Sequence, residues 1–284
     1  MSYARPTSLQ EALQLRAGPD PVTVLAGGTD LYPATDRPAL SGAVLDITAI
    51  EGLSDIVMQG PDLRIGAATR WSALVAADLP AAFDGVKAAA REVGSVQIQN
   101  AGTLGGNLCN ASPAADGVPP LLTLDAKVEL ASLRGIRRLA LAAFLTGARQ
   151  TALAPDEILT AIVIPKTALA GRSAFAKLGA RRYLVISIAM VAARIETARG
   201  RIVQAALAVG ACSAVARRLT ALETALIGVP LSDVCEVMQA GDIGSALTPI
   251  DDVRGTAGYR RDAASELLRR LVGDLLREDA ARAA

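Results

Sequence analysis

The 284-residue sequence contains no histidine. This absence excludes Ser-His and Cys-His catalytic triads, imidazole-based zinc sites and the most common general base. The three cysteines, Cys109, Cys212 and Cys235, are too few for the usual four ligands of an iron–sulfur cluster, and their scatter does not suggest a disulfide framework. We therefore expect no metal ligands and no catalytic residues in this chain, so that an organic cofactor must carry any redox chemistry.

Net charge and aromatic residues are also scarce. The 29 basic and 28 acidic residues leave a formal net charge of +1, and only 3% of residues are aromatic. This composition favours neither a nucleic-acid partner nor an anionic membrane surface. Although 51% of residues are hydrophobic, the longest apolar run, 185–193, is far shorter than the about 20 residues that span a bilayer. The first six residues contain no apolar signal core, so we expect no membrane span and a cytoplasmic location.

The order of the predicted elements indicates an α+β fold. Ser8 and Glu11 form a capping box that opens a short helix. A turn-rich stretch over 100–120, rich in Gly and Asn and poor in charge, is predicted to be a long ordered loop. Thr69 is predicted to cap a helix that runs to Ala77. Apolar runs predict a further helix over 86–93 and strands over 21–26, 43–47, 62–66, 128–130, 136–139 and 158–165.

The composition changes near 167–172, where we place a domain boundary. Beyond it we predict strands over 173–178, 185–195 and 202–209, and then helices around 214–227, 231–240 and 263–276. The chain is therefore predicted to form an N-terminal domain over 1–168, with lobes of roughly 1–55 and 56–168, and a C-terminal α+β domain over 173–278 with a three-stranded sheet plus helices.

Two glycine-rich turns are the strongest candidates for ligand binding. The first, Leu25-Ala26-Gly27-Gly28-Thr29-Asp30, directly follows a predicted strand, and successive glycines let backbone N–H groups converge on phosphate oxygens. The second, Gly102-Thr103-Leu104-Gly105-Gly106-Asn107, is followed by neutral donors and Asp116. Two such turns could hold the two halves of a pyrophosphate. Neither matches the Rossmann fingerprint or the P-loop, and each alone is also compatible with an ordinary loop.

Together, however, the two turns closely resemble the FAD-binding medium subunit of the molybdenum hydroxylases, the family of aerobic carbon monoxide dehydrogenase and xanthine dehydrogenase. About 75 residues separate Ala26-Gly27-Gly28-Thr29-Asp30 from the second turn, which continues into Ala111-Ser112-Pro113-Ala114-Ala115-Asp116. Segments 156–165 and 175–182 resemble the strand that closes the family's FAD domain and the start of its C-terminal domain. Four segments in this order extend the resemblance over nearly the whole chain.

The resemblance implies an oxidoreductase with a two-lobed FAD-binding domain, followed by an α+β C-terminal domain. FAD is expected to lie extended between the two domains, with its pyrophosphate on the glycine turns. Leu159 matches an apolar contact, and Lys177 a lysine near the isoalloxazine ring that could stabilise the anionic reduced flavin. The residues that match the family's FAD contacts are Leu25, Ala26, Gly27, Gly28, Thr29, Asp30, Leu31, Gly94, Ala101, Thr103, Gly105, Gly106, Asn107, Asp116, Leu159 and Lys177.

The sequence also departs from the family. Some relatives carry His where this chain has Thr29, and many carry Asp where it has Val185. By analogy Ile186 lies beside the flavin face that an external acceptor approaches; the alternative is a core residue of a central strand.

The resemblance further implies a heterotrimer. Molybdopterin would lie on a large partner subunit and two [2Fe–2S] clusters on a small one, and electrons would pass through FAD to NAD⁺, a quinone, a soluble carrier or oxygen. A stand-alone FAD-dependent oxidoreductase of the same fold is an alternative, but it would need its own substrate pocket and acid–base group. A scaffold with a vestigial flavin site is a third possibility, against which the intact glycine turns argue.

Overall fold

The computed structural model describes residues 2–36, 40–182, 184–238 and 240–283. Its first part is a small parallel sheet of three strands in the order β1-β3-β2, with one helix beside it. The capping box is confirmed, because Ser8 Oγ accepts a hydrogen bond from the Glu11 amide. The elements of this lobe are β1 (Ser2–Ala4), α1 (Leu9–Arg16), β2 (Val22–Leu25) and β3 (Ala43–Asp46).

The second part is an antiparallel sheet of five strands covered by short helices. The sheet has the order β4-β5-β10-β6-β7, and its central strand β10 is buried along its whole length. Trp71, Phe83 and Leu104 of the helical layer pack with the sheet in one core. The elements are β4 (Ile56–Gln59), β5 (Asp62–Gly66), α2 (Trp71–Ala76), α3 (Asp84–Glu92), α4 (Val96–Ala101), α5 (Leu104–Asn110), α6 (Val118–Thr123), β6 (Lys127–Ser132), β7 (Gly135–Ala140), α7 (Leu141–Phe144), β8 (Leu145–Gly147), β9 (Gln150–Thr151) and β10 (Ile158–Ile164).

The third part is an antiparallel sheet in the order β11-β12-β13-β14, followed by helices. The long last helix packs against the first two strands of this sheet. The elements are β11 (Arg172–Leu178), β12 (Ala189–Ala198), β13 (Arg201–Gly210), β14 (Arg217–Arg218), α8 (Thr220–Leu226), α9 (Val234–Val237), α10 (Ala240–Ser245) and α11 (Ala257–Ala283).

The C-terminal sheet differs from the prediction in two details. A fourth strand of two residues, β14, adds to the edge of β13, so the predicted helix over 214–227 contains only α8. The strand predicted from residue 185 begins at Ala189, because Ala189 pairs with Leu178, the last residue of β11. Of the helix predicted over 231–240, Val234–Val237 forms one turn, α9, and the helix predicted over 263–276 lies inside α11.

The loop predicted over 100–120 is wrong, because most of this stretch is helical. It contains all of α5 and the start of α6. Thr103 caps α5, with its Oγ1 accepting a hydrogen bond from the Gly106 amide at 3.1 Å. Glycine weakens an isolated helix, but here the missing side chain of Gly105 lets α5 pack directly against Ala67. The helix predicted after Thr69 is also displaced: α2 begins at Trp71, and Thr69 does not cap it.

Buried polar contacts join the C-terminal sheet to the helical layer. Ser173 Oγ on β11 donates to the Ala82 carbonyl at 2.7 Å and accepts from the Gly85 amide at 2.8 Å. The buried Arg194 on β12 donates to the Thr123 carbonyl at 2.8 Å. These bonds fix the sheet against α3 and α6. No helix among the described residues is both long and apolar enough to cross a membrane.

Candidate functional site

A cleft of about 740 Å³ opens between the three-stranded lobe and the second part of the chain. One wall is β2 with the first glycine turn, and the facing wall is built from α4, α5 and β10. The lobe's own core includes Ala131 and Ile158 from the five-stranded sheet, so the two walls are packed together beneath the cleft. The cleft therefore lies at a junction between two packed sheets, where ligand sites commonly form.

The first glycine turn can come close to the facing wall only because it lacks side chains. A Cβ on Gly27 would lie 2.1 Å from the Ala101 carbonyl oxygen, and one on Gly28 would lie 2.6 Å from the Tyr32 ring. Gly28 also has a left-handed φ of 69°. Within the described residues, the amide N–H groups of Gly27, Gly28, Thr29 and Asp30 donate no hydrogen bond to the protein. Four free amides in one turn beside a cleft suit phosphate oxygens.

The second glycine turn is built differently. The amides of Leu104 and Gly105 donate to the carbonyls of Thr69 and Ala67, and those of Gly106 and Asn107 donate to Thr103. The prediction of a second open amide nest is therefore wrong, since all four amides already donate to groups of the protein. The segment reaches the cleft instead through side chains. Asn107 lines the cleft, and its Oδ1 is buried without a partner in the described part of the chain.

The structure brings most of the predicted site residues together. Among them, Gly94, Ala101, Asp116 and Lys177 do not line the cleft. Ala101 lies close behind the first glycine turn, against Gly27. Gly94 follows Val93, the C-cap of α3, and has a left-handed φ of 54°. The predicted residues that line the cleft are Leu25, Ala26, Gly27, Gly28, Thr29, Asp30, Leu31, Thr103, Gly105, Gly106, Asn107 and Leu159.

Lys177 lines a second cleft of about 580 Å³, between α3 and β11. Its Nζ lies 2.7 Å from Asp116 Oδ2, and Ser187 Oγ donates to Asp116 Oδ1 at 2.7 Å. Burial raises the pKa of Asp116, while the charge and hydrogen bonds of Lys177 oppose the rise. Lysine and carboxylate thus form a buried, hydrogen-bonded pair at the edge of the second cleft.

Neighbouring residues at the end of α3 line the two clefts. Glu92 lines the second cleft and the adjacent Val93 lines the first. FAD was expected to lie extended between the N- and C-terminal domains, but the first cleft, which holds the glycine turns, is lined by no described residue beyond Leu159. The turns lie between the two lobes of the N-terminal part, and it is the second cleft that touches the C-terminal sheet.

Sequence reasoning missed Arg16, which lines the first cleft from the last turn of α1. A signal was present: Arg16 lies three and four residues after the buried Leu13 and Ala12, so it shares their face of the helix. The structure also decides between the alternatives for Ile186. Its side chain is 54% exposed and precedes β12, so it is not a core residue of a central strand.

A turn of free amides beside a cleft between two lobes is typical of a nucleotide-cofactor-binding protein such as a flavoprotein. Comparison with known proteins identifies the family. Residues 1–167 match the family model of the FAD binding domain in molybdopterin dehydrogenase, and residues 174–275 match the CO dehydrogenase flavoprotein C-terminal domain. The chain belongs to the family of FAD-binding medium subunits of molybdenum hydroxylase-type dehydrogenases. These are oxidoreductase subunits, and the cofactor of this family's chain is FAD.

Individual relatives match over almost their full length. The nicotinate dehydrogenase FAD-subunit of Eubacterium barkeri is 32% identical, covering 96% of this chain and 95% of the relative. The nicotine 6-hydroxylase medium subunit of Paenarthrobacter nicotinovorans is 32% identical, with 95% of each chain covered. A solved chain of CO dehydrogenase from Oligotropha carboxidovorans superimposes with a TM-score of 0.88 at 29% identity, with 97% of each chain covered.

The residues present fit FAD. The four free amides of the first turn border the cleft, and the glycines of that turn leave space that a Cβ would fill. Asn107 also lines the cleft, and its buried Oδ1 has no partner among the described residues. Pyrophosphate needs converging donors, and the turn supplies them without a lysine or arginine. The α+β architecture with a family FAD domain and a C-terminal flavoprotein domain is thereby confirmed.

Proposed function

We propose that this chain is the electron-transfer subunit of a heterotrimeric molybdenum-containing dehydrogenase. A small partner subunit with [2Fe–2S] clusters delivers electrons to it, and a large molybdopterin-binding partner converts the substrate. This chain passes the electrons to an external acceptor, which is NAD⁺, a quinone, a soluble carrier or oxygen. The observation that carries the proposal is the turn of free amides facing the first cleft, in a chain of this family.

In this proposal the first cleft binds the pyrophosphate of FAD, and the second cleft lies toward the flavin end. The amides of Gly27 to Asp30 bind the pyrophosphate, with Thr103 and Asn107 donating from the facing wall. Lys177 and its partner Asp116, at the edge of the second cleft, would lie toward the flavin end of bound FAD. Bound FAD supplies the ability to take up electrons singly and release them in pairs. The predicted site residues and the division into domains 1–168 and 173–278 remain part of the proposal, as does a cytoplasmic location.

The ionisable groups near the clefts support a role in electron transfer. Glu157 in the first cleft is paired with Arg137 at 2.6 Å, and this hydrogen bond lowers the pKa of Glu157. Lys177 beside the second cleft is paired with Asp116. Groups held in ion pairs are poorly suited to the proton transfer that a stand-alone oxidoreductase needs.

Purification of the native complex tests the proposal. The chain should co-purify with two companions, and metal analysis should find molybdenum and iron in the complex but not in this chain alone. In the anaerobic complex, substrate should bleach the flavin absorbance, whereas the isolated chain should stay oxidised with the same substrate. Conversion of an organic substrate by the isolated chain, or purification without metal-containing companions, would contradict the subunit assignment.

A further inference from the structure

Arg16 lines the first cleft beside the start of β2, whereas the glycine turn follows the end of that strand. Arg16 Nη1 donates to the carbonyl of Val22, the first residue of β2. The glycine turn follows Leu25, the last residue of that strand. A strand rises about 3.3 Å per residue, so roughly 10 Å of β2 separates the two ends of this wall. Arg16 is thus too far from the turn to share its phosphate site.

The guanidinium of Arg16 has no close ion-pair partner among the described residues, and Asp156 acts on it only through its charge at longer range. Its Nε is buried without a hydrogen-bond partner, and among the described residues no carboxylate lies within ion-pairing distance of it. Glu157, which also lines the cleft, is occupied by Arg137 and by the Ala154 amide. Arginine keeps its charge when partly buried, so its desolvation is costly unless a ligand accepts from it.

The apolar part of the first cleft, with Arg16 at its wall, suits a flat, uncharged ring. Besides Arg16, the first cleft is lined by several apolar side chains, among them Val22, Val24, Leu153 and Ile158. A purine ring buries well between such side chains, and its ring nitrogens accept hydrogen bonds around its edge. The planar guanidinium can both donate to those nitrogens and lie against an aromatic face.

The direction of the cofactor follows from the second cleft. That cleft is lined by Lys177 and Glu92, and the next residue, Val93, lines the first cleft, whereas Arg16 lies at the start of β2. We propose that Arg16 binds the adenosine half of FAD and thereby makes the chain select FAD over FMN. The inference rests on the proposed function, since it needs the pyrophosphate on the first turn and the flavin toward Lys177.

Binding of cofactor fragments to the full chain, stripped of flavin, tests this inference. FAD and FMN are titrated by flavin fluorescence quenching and ADP by calorimetry, for wild type and Arg16→Met. Loss of a hydrogen bond from a charged donor should weaken FAD and ADP roughly ten- to hundred-fold. FMN, which lacks the adenosine half, should bind as it does to wild type. The matched control Arg217→Met removes an exposed arginine of β14 and should change none of the three affinities.

A second variant keeps the test decisive if Arg16→Met does not fold. Arg16→Lys keeps the charge but loses the planar fork, so FAD and ADP should weaken several-fold at an unchanged melting temperature. The inference is overturned if either folded variant binds FAD as wild type does, or if FMN weakens as much as FAD. A wild-type chain that takes up no FAD would instead refute the proposed function, and this is seen before any variant is made.

Discussion

Lys177 and Asp116 form a buried ion pair that joins the C-terminal sheet to the helical layer. The ammonium nitrogen lies 2.7 Å from the carboxylate, and the two side chains are 7% and 10% exposed. Lys177 is on β11, whereas Asp116 lies between α5 and α6. Because the carboxylate balances the ammonium, a flavin in the second cleft would meet a neutral pair and not the isolated positive charge that sequence alone suggested.

Breaking this pair should destabilise the fold strongly. Lys177→Met leaves a buried carboxylate whose remaining side-chain donor is Ser187, and loss of one partner of a buried pair costs about 3–5 kcal/mol. The double variant Lys177→Met with Asp116→Asn should recover part of that loss, since no unpaired charge remains. Urea denaturation gives the free energies of unfolding. Additive losses in the double variant would show that the two residues do not interact.

The approach of Gly27 to the facing wall should be essential for cofactor binding. Gly27→Ala places a Cβ 2.1 Å from the Ala101 carbonyl oxygen, and overpacking of this kind costs about 1–3 kcal/mol. We expect FAD affinity to fall because the turn and its amides move. The matched control is Gly273→Ala in α11, where the nearest atom is Arg277 Nη1 at 3.6 Å. That variant should keep wild-type affinity and gain up to about 1 kcal/mol of stability. Equal effects of the two substitutions would refute the role of the close approach.

Gly105→Val should abolish FAD retention by displacing a helix. The Gly105 amide already donates to the Ala67 carbonyl at 2.8 Å, and a Cβ would lie 2.7 Å from the Ala67 Cβ. The valine must therefore push α5 and its Asn107 away from the cleft. Melting temperature and bound flavin, measured on the same sample, should both fall. Loss of flavin at an unchanged melting temperature would mean that Gly105 contacts the cofactor directly.

Features of this site that depend on neighbouring residues were predicted from the sequence more accurately than features that depend on packing between distant segments. The capping box at Ser8 and the first glycine turn depend on neighbouring residues, and both lie where the pattern placed them. The helix over Leu104–Asn110 was missed because two glycines disfavour a helix locally. Packing of Gly105 on Ala67 outweighs that preference.

Contacts between segments that are distant in sequence could not be predicted, because they too depend on tertiary packing. Arg16 reaches the cleft only because α1 packs beside β3, far from the second glycine turn in sequence. The short strand β14 forms because β13 offers an open edge, and its own two residues carry no strand signal. The family resemblance supplied Asp116 and Lys177, but the bond between them is visible only in the structure.

The position of β12 should depend on pH through Asp252. This carboxylate accepts from the Arg254 amide at 2.8 Å and from Arg260 at 2.6 Å, and Arg260 in turn holds the Ile188 carbonyl before β12. These bonds, led by that of the Arg254 amide, lower the pKa of Asp252 to about 2 from an ordinary 3.8. A lowered pKa means that the stabilisation is complete above about pH 4 and is lost as the pH falls toward 2.

Comparison with Asp252→Asn checks this dependence. The variant should unfold more easily than wild type near neutral pH, and the difference between the two free energies of unfolding should shrink as the solution is acidified below about pH 4. Denaturant titrations at a series of pH values measure that difference. A difference that stays constant across the series would show that the charge of Asp252 does not stabilise the fold.

The flavin content of the purified chain tests the central claim most directly. Chain expressed alone is denatured, and the released flavin is identified by chromatography and quantified by its absorbance against protein concentration. The account predicts a yellow protein that releases FAD, close to one per chain, with no bound molybdenum or iron. A colourless chain that also fails to take up added FAD, or one that releases FMN in place of FAD, would contradict it.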